Sequence, residues 1–468
     1  MSIIVAILGL GFLIFFHELG HFVACKLCHV GVLEFSIGMG PRIINRVIGK
    51  TRYSLKLLPI GGSCAMLGED AAGSGDFTTA TGVEISSSED DGDTDAATLD
   101  NTATASGNTV ATSGNTPAAS GGAATSSDNM AAASNMAVAS GDISTSSGDT
   151  TAVSGGATAA SGDPWVDYDG VRFRKSELQD YNFQNKPAYQ RFFICIAGVL
   201  NNFIIAAVFA GIVVFFCGFD NLYVTGTADN TPAATAGFQE GDSITHIGYH
   251  DRSLASTPGF RDLYIWLYVN SPDFDDTTVL DAVVVRDGAK QTITFSPYYD
   301  DTAQKYKLGI SFYGGRFAAS NLKEFLTDTF YEVRYNMSIV IQSFSMIFKG
   351  RIHRNEVMGP VGAVTVMGST VEQSSKFGVL NAFVVLLELL VMLSSNLGIM
   401  NLLPIPALDG GRLIFILFEM ISRRRLNPAI EERINQVGMM ALLALMALIM
   451  SNDIWNIISG AYTSMLGG

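Results

Sequence analysis

The sequence predicts a polytopic α-helical membrane protein with four transmembrane helices, a β-hairpin after the first of them and one inserted β-rich module. Three observations carry this. Apolar runs stand at residues 1–25, 192–219, 379–421 and 437–456, and crossing a bilayer takes about 20 such residues. Mean hydropathy is +0.29 although one long polar block dilutes it. Residues 222–313 instead turn to short alternating segments punctuated by Gly-Asp and Asp-Gly, the pattern of β-strands joined by tight turns.

The first run ends in His17-Glu18-Leu19-Gly20-His21. Histidines four apart project from one helix face and can reach a single metal ion, and a Glu between them is placed to act as general base on water. No charge occurs from residue 2 to 16, so the motif sits on a helix of spanning length, where ionisable groups are costly and usually functional. Met1 to Ile4 lacks a basic region and no small-residue cleavage site follows. The run is therefore expected to be a retained helix rather than a signal peptide.

Cys25-Lys26-Leu27-Cys28-His29 matches the spacing of a haem attachment site, but the orientation argued below puts it on the inner side of the membrane, where such haem is not attached. A free thiol pair open to oxidation is the simpler reading. All five cysteines (Cys25, Cys28, Cys64, Cys195, Cys217) lie in or beside apolar segments, and no disulfide framework is implied.

Residues 34–66 read as a hairpin turning at Gly49-Lys50, in which Tyr53, Leu55 and Leu57 alternate with Arg52, Ser54 and Lys56. A strand edge beside the metal would hold a substrate extended by pairing with it. An ordinary surface hairpin fits the pattern equally well. Residues 71–163 are Ser, Gly, Ala, Thr, Asn and Asp, with 12 acidic and no basic residues, so this block supplies most of the formal charge of −15. Such composition buries no core and is expected to be a disordered acidic insertion without chemistry. No nucleic-acid partner is expected.

Order returns at Pro164-Trp165. The second span holds Ala197-Gly198-Val199-Leu200-Asn201-Asn202, small and polar residues suited to close helix packing. The β-rich module that follows has the pattern of a peptide binder or, equally, of a spacer. Residues 320–362 read as an amphipathic surface helix region ending at the break Met358-Gly-Pro-Val-Gly362. The third span is interrupted at Asn401-Leu-Leu-Pro404-Ile-Pro406-Ala-Leu-Asp409-Gly410-Gly411-Arg412.

Basic residues set the orientation. Lys26, Arg42, Arg46, Lys50, Arg52, Lys56 and those from Arg172 to Arg191 lie between spans one and two, and Arg423 to Arg425 and Arg433 between three and four. None follows span two until Arg252, and none follows Ile449. Both termini and the β-rich module are then expected outside, and the 24–191 loop in the cytoplasm.

A catalytic zinc takes three protein ligands and leaves one position open. His29, His246, His250 and His353 sit outside the spans and read as solvated. Glu388, Asp409 and Glu419 are the candidates for the third ligand. Asp409 is favoured, because a broken helix at membrane depth is tolerated only where it lines protein or water, and Glu388 is its rival. Asn401 is placed to donate a hydrogen bond to substrate or oxyanion, or to serve helix packing.

Taken together, His17-Glu18-Leu-Gly-His21, Phe35-Ser-Ile-Gly-Met-Gly-Pro41, Pro59-Ile-Gly-Gly62, Pro232-Ala-Ala-Thr-Ala-Gly237 with Gly241-Asp242, and Asn401 to Arg412 resemble the site-two protease family of intramembrane zinc metalloproteases, and within it the bacterial RseP-type enzymes. The resemblance implies Zn2+ held by His17, His21 and Asp409, Glu18 as general base and Asn401 as a substrate contact. It also implies that the hairpin is a membrane-reentrant element, that residues 222–313 form a PDZ-like domain, and that the chain lies in a bacterial plasma membrane. The implied partners are the lipid bilayer and single-span membrane protein substrates, such as anti-sigma factors or signal-peptide remnants, trimmed beforehand by a site-one-type protease. The chain departs from the family in having Val199 where Pro is usual, and in showing one PDZ-like domain where better known relatives carry two. A non-catalytic peptide receptor with a structural metal is the rival class; it would call for a fourth protein ligand, and three candidates are visible. Metal transport would call for more polar residues along the spans.

Overall fold

The computed structural model describes residues 2–69, 83–85, 163–351, 359–425 and 427–459. Apart from 83–85 and Asp163, the acidic block lies outside the described residues, as does His353. Ten helices organise the rest: α1 (Ser2–Leu27), α2 (Leu178–Tyr181), α3 (Ala188–Cys217), α4 (Pro232–Ala236), α5 (Phe260–Asn270), α6 (Leu322–Phe348), α7 (Pro360–Ser375), α8 (Val379–Leu402), α9 (Asp409–Ser422) and α10 (Pro428–Ile458). Within them, Ile7–Leu27, Ala188–Cys217, Val379–Leu402 and Ile430–Ile458 are long and apolar enough to cross a membrane. The chain is a membrane protein.

Packing in the bundle follows the rule for helices in lipid, where small residues rather than large ones bring backbones together. On α3, Ala197, Gly198, Asn202, Ala206 and Ala210 are buried, while Leu200, Ile204, Val208 and Phe215 face outward, Phe215 being 72% exposed. At the α1–α3 crossing a Cβ on Gly20 would lie 2.4 Å from Ala197 O, so the approach requires glycine.

Helix α7 is an element the sequence reading passed over, having taken Met358 to Gly362 only as a break. Its Gly and β-branched residues give a weak helical signal. Tertiary contact supplies what propensity lacks: Pro360 opens the helix, and the buried Asp453 of α10 accepts from the Gly359 and Gly362 amides, each at 2.8 Å. Between α8 and α9 the backbone turns through Pro404 and Pro406, with Ala407 at φ 74°. Cβ atoms on Gly410 and Gly411 would strike Leu403 O and Ile405 O at 2.1 and 2.5 Å, so the two glycines let α9 start tightly against the turn.

Strands β1 (Val32–Ile48) and β2 (Thr51–Met66) are long and bent. Phe35 pairs with Cys64 on one side and Tyr53 on the other, so four segments lie side by side in the order 62–66, 32–37, 51–55, 44–48. Gly38, at φ 87°, occupies the bend, where a Cβ would meet Leu58 O at 2.4 Å. The two faces are reversed from those of a soluble sheet. On β2, Arg52, Ser54 and Lys56 are buried, Lys56 at 7%, while Leu55 and Leu57 are exposed on the other face together with Ile44, the partner of Leu55, at 63%. Beneath the buried face, Arg42 bridges Glu34 (2.8 Å) and Asp169 (2.7 Å), and Arg52 joins the same Asp169 at 2.6 Å. A small sheet of β3 (Val83–Ile85), β4 (Trp165–Tyr168) and β5 (Val171–Arg174) stands nearby in sequence.

The central region is β-rich. Strands β6 (Val224–Thr227), β7 (Ser243–Tyr249), β8 (Ala255–Ser256), β9 (Leu280–Arg286), β10 (Ala289–Phe295), β11 (Tyr298–Asp300), β12 (Lys305–Lys307) and β13 (Ile310–Phe312) form a four-stranded sheet, β10-β9-β7-β8, and the pairs β11-β12 and β13-β6. Leu280, Ala282 and Val284 alternate inward on β9 and meet Ile244, Ile247, Leu263 and Trp266 in one apolar core. Arg261 on α5 ties this region to the bundle, contacting Asp220 just after α3 (3.0 Å) and Glu332 on α6.

Candidate metal centre

His17 and His21 lie one turn apart on α1 and both face α3. Their Nε2 atoms are 3.2 Å apart. Asp409, the first residue of α9, brings its Oδ2 to 3.1 Å from His17 Nε2 and 3.4 Å from His21 Nε2. Among the described residues, these are the side chains whose ligand atoms come together closely enough to share an ion. Zinc with bonds of ~2.0–2.1 Å in tetrahedral array separates its ligand atoms by about 3.3–3.4 Å, which is close to the spacing here.

The protons agree with the distances. His21 Nδ1 donates to Ile194 O at 2.9 Å, an atom that can only accept, so the Nε2 of neutral His21 offers a lone pair. Asp409 Oδ2 is buried and, among the described residues, receives no hydrogen bond. His21 Nε2 and Asp409 Oδ2 are acceptors that face each other without a proton between them, which fits a shared cation, and with His17 the residues present suit zinc.

Room for the rings is made by absence. A Cβ on Gly198 would fall 2.3 Å from His21 Nε2, so only glycine on α3 admits that imidazole. Gly62 on β2 stands beside Glu18, its Cβ position 3.5 Å from Glu18 Cγ in ordinary contact, and its lack of a side chain serves the close approach to Ser36 O at 2.9 Å. Glu18 is half-buried on the face of α1 toward the outermost β segment. Asn401, in the last turn of α8, has its Nδ2 3.4 Å from His17 Nε2.

The rival carboxylates lie elsewhere. Glu388 pairs with Arg316 at 2.9 Å and Glu419 with Arg191 at 2.6 Å. Of the other histidines, His29 and His250 are exposed, and His246 is half-buried on β7. The five cysteines are free, Cys25 being buried and Cys28 partly exposed.

Several contributors escaped the sequence reading. Arg412, one turn after Asp409, pairs with the buried Glu69 at 2.5 Å, so α9 is clamped at its start by Glu69 and toward its end by Arg191. An arginine at the head of an apolar run needs such a partner, and that need is the signal the sequence offers. Asn202, wholly buried on α3, lies 3.0 Å from His17 Nδ1 through its Nδ2. Small and amide residues at 197–202 marked a helix contact but not which helix it met.

With this geometry in view, comparison with known proteins gives a consistent result. A family model described as peptidase family M50 matches residues 5–445. The chain is similar to the zinc metalloprotease RasP of Bacillus licheniformis, 30% identical over 97% of this chain and 98% of the relative. It is similar also to the "Probable protease eep" of Enterococcus faecalis, 28% identical over 97% and 98% of the two chains.

Proposed function

The chain belongs to peptidase family M50 and is a membrane zinc metalloprotease that cleaves within the membrane, and we propose that His17, His21 and Asp409 hold its zinc while Glu18 acts as general base. One observation carries this: two Nε2 atoms and a carboxylate oxygen without a hydrogen bond converge within 3.4 Å of one another. When bound there, zinc supplies Lewis-acid chemistry, polarising the scissile carbonyl and acidifying water. Glu18 takes the proton of the attacking water and passes it to the leaving amine. Asn401 Nδ2 donates to the substrate carbonyl as negative charge grows on its oxygen.

A peptide bond in a transmembrane helix is shielded by its own hydrogen bonds, so the substrate has to be unwound. The segment 62–66, outermost in its sheet and beside Glu18, offers an edge on which the unwound strand pairs. The reversed faces of β2 support a hairpin immersed in the bilayer, apolar side to lipid and polar side inward. Substrates are then single-span membrane proteins, anti-sigma factors and signal-peptide remnants among them, cut near the cytoplasmic leaflet of a bacterial plasma membrane after a first protease has trimmed their outer part. The region 222–313 acts as a PDZ-like domain outside the membrane, both termini lie on that side and the 24–191 loop lies in the cytoplasm. The distribution of basic residues supports this orientation.

The test is cleavage of a model single-span substrate by purified protein in detergent, with zinc content measured alongside. Glu18→Gln is expected to keep zinc at the wild-type level and lose cleavage by ~10^2–10^4-fold, the usual worth of a general base. Full activity in that variant would sink the assignment, and a non-catalytic receptor would show no zinc-dependent cleavage even in the wild type.

A further inference from the structure

We propose that Asn202 is a positioning residue that holds His17 in the tautomer able to bind metal, by turning its amide oxygen toward His17 Nδ1. The inference rests on the ligand assignment above and extends it to one side chain on α3.

A histidine that ligates through Nε2 carries its proton on Nδ1 and needs an acceptor there. His21 has one in Ile194 O, at 2.9 Å. Among the described residues, His17 has only Asn202 at the equivalent position: the amide Nδ2 stands 3.0 Å from His17 Nδ1, and Asn202 Oδ1 is buried without a hydrogen bond. Two donors facing each other would repel, and an oxygen left bare in a dry site is costly. The repulsion ends if the amide turns by 180°, because Oδ1 then takes the place of Nδ2 and accepts from His17 Nδ1–H, while Nδ2 moves to the position that Oδ1 held. The two ends of an amide are nearly identical in shape, so the turn needs no repacking.

The backbone holds Asn202 where this works. Ser394 of α8 donates its hydroxyl to Asn202 O at 2.7 Å, and the neighbouring Asn201 donates from Nδ2 to Phe16 O on α1. Asn202 therefore sits at a junction of α1, α3 and α8. Its amide reaches the first ligand from the side away from Asp409, since His17 turns Nε2 to that carboxylate and Nδ1 to Asn202.

The experiment measures zinc affinity by competition with a chelator on the full chain in detergent, for wild type, Asn202→Leu, Asn202→Asp and His17→Ala. Asn202→Leu keeps the volume and removes the acceptor; affinity is expected to fall ~10–100-fold, as for loss of other partners of metal-bound histidines. Asn202→Asp keeps an acceptor and should hold zinc within a few-fold of wild type. Wild-type affinity in Asn202→Leu, or equal loss in both variants, would overturn the proposal. His17→Ala separates the two levels of argument: if it too binds zinc normally, the ligand assignment is what has failed. A second readout needs no variant. Nitrogen NMR of the zinc-free wild type should find the His17 ring protonated on Nδ1, and protonation on Nε2 would overturn the proposal even if the Leu variant fails to fold.

Discussion

The β-rich region and the helical bundle solve the problem of burial in opposite ways. On β9, Leu280, Ala282 and Val284 point inward to an apolar core, and the buried charges of this region, such as Asp242, stand in ion pairs beside that core. On α3, Leu200, Ile204, Val208 and Phe215 point out, while Ala197, Gly198, Asn202, Ala206 and Ala210 share the interior with Ile194, Val199, Val213 and Val214. Water drives the first arrangement, because apolar area removed from it stabilises the fold. Lipid offers no such drive, so the bundle is held by close backbone approach and by polar pairs that cannot be satisfied outside. The proposed metal site, two histidines and a carboxylate, thus lies in an interior where small and polar groups bring the helices together.

The sharpest test of this contrast compares two glycines. Gly198→Ala places a Cβ 2.3 Å from His21 Nε2 and 2.7 Å from its Cε1, so the ring has to leave the site. Zinc affinity is expected to fall by at least ~10–100-fold, with cleavage lost in parallel. Gly226 on β6 would gain a Cβ that meets nothing within 4 Å, and Gly226→Ala should leave zinc and activity unchanged. Metal analysis of the two variants decides the matter; equal behaviour would mean that close packing around His21 does not govern the site.

What could be read from the sequence differs between the regions for the same reason. Spacing within one element is legible: His17, Glu18 and His21 share a helix, and four long apolar runs announce spans. Asp409 is legible only by a weaker route, through the oddity of a broken membrane helix, and the sequence leaves Glu388 as its rival; the structure puts Glu388 against Arg316 and Asp409 beside the two histidines. Asn202, Gly198 and the Glu69–Arg412 pair left no trace of their partners, since their meaning depends on which helix lies opposite. Helix α7 was hidden because its weak local propensity is overridden by the Asp453 cap from a distant helix.

Acid should separate the regions next. Asp242, with a fully buried side chain, accepts from Arg286 Nε and Nη2 at 2.7 Å each, and those bonds hold its carboxyl below the usual value of 3.8. A folded-state value depressed in this way contributes stability that is present above about 4 and lost as pH falls below it. Thermal unfolding of the β-rich region, followed by Trp266 fluorescence in the full chain with Trp165 and Trp455 replaced by Phe, should show the difference. Asp242→Asn is expected to be less stable at pH 7, and the gap to wild type should close as the pH drops through 4 toward 2. A gap constant with pH would mean that the pair contributes through shape alone. Because the site lies in the bundle, zinc content at pH 7 should be the same in both proteins.

The smallest effect is expected where the two regions join. Arg316 leaves the β-rich region and meets Glu388 on α8 at 2.9 Å, with both side chains partly exposed, 24% and 33%. Partly solvated pairs of this kind contribute about 0–1 kcal/mol. Glu388→Gln keeps the volume and a hydrogen-bonding oxygen, so melting should move little and zinc content should remain at the wild-type level. The same variant tests the rivalry for the third ligand, since Asp409→Asn should lose zinc under identical conditions. If Glu388→Gln loses it instead, the carboxylate nearest the two histidines is not the ligand, and the bundle has to rearrange on binding metal to bring α8 into the site.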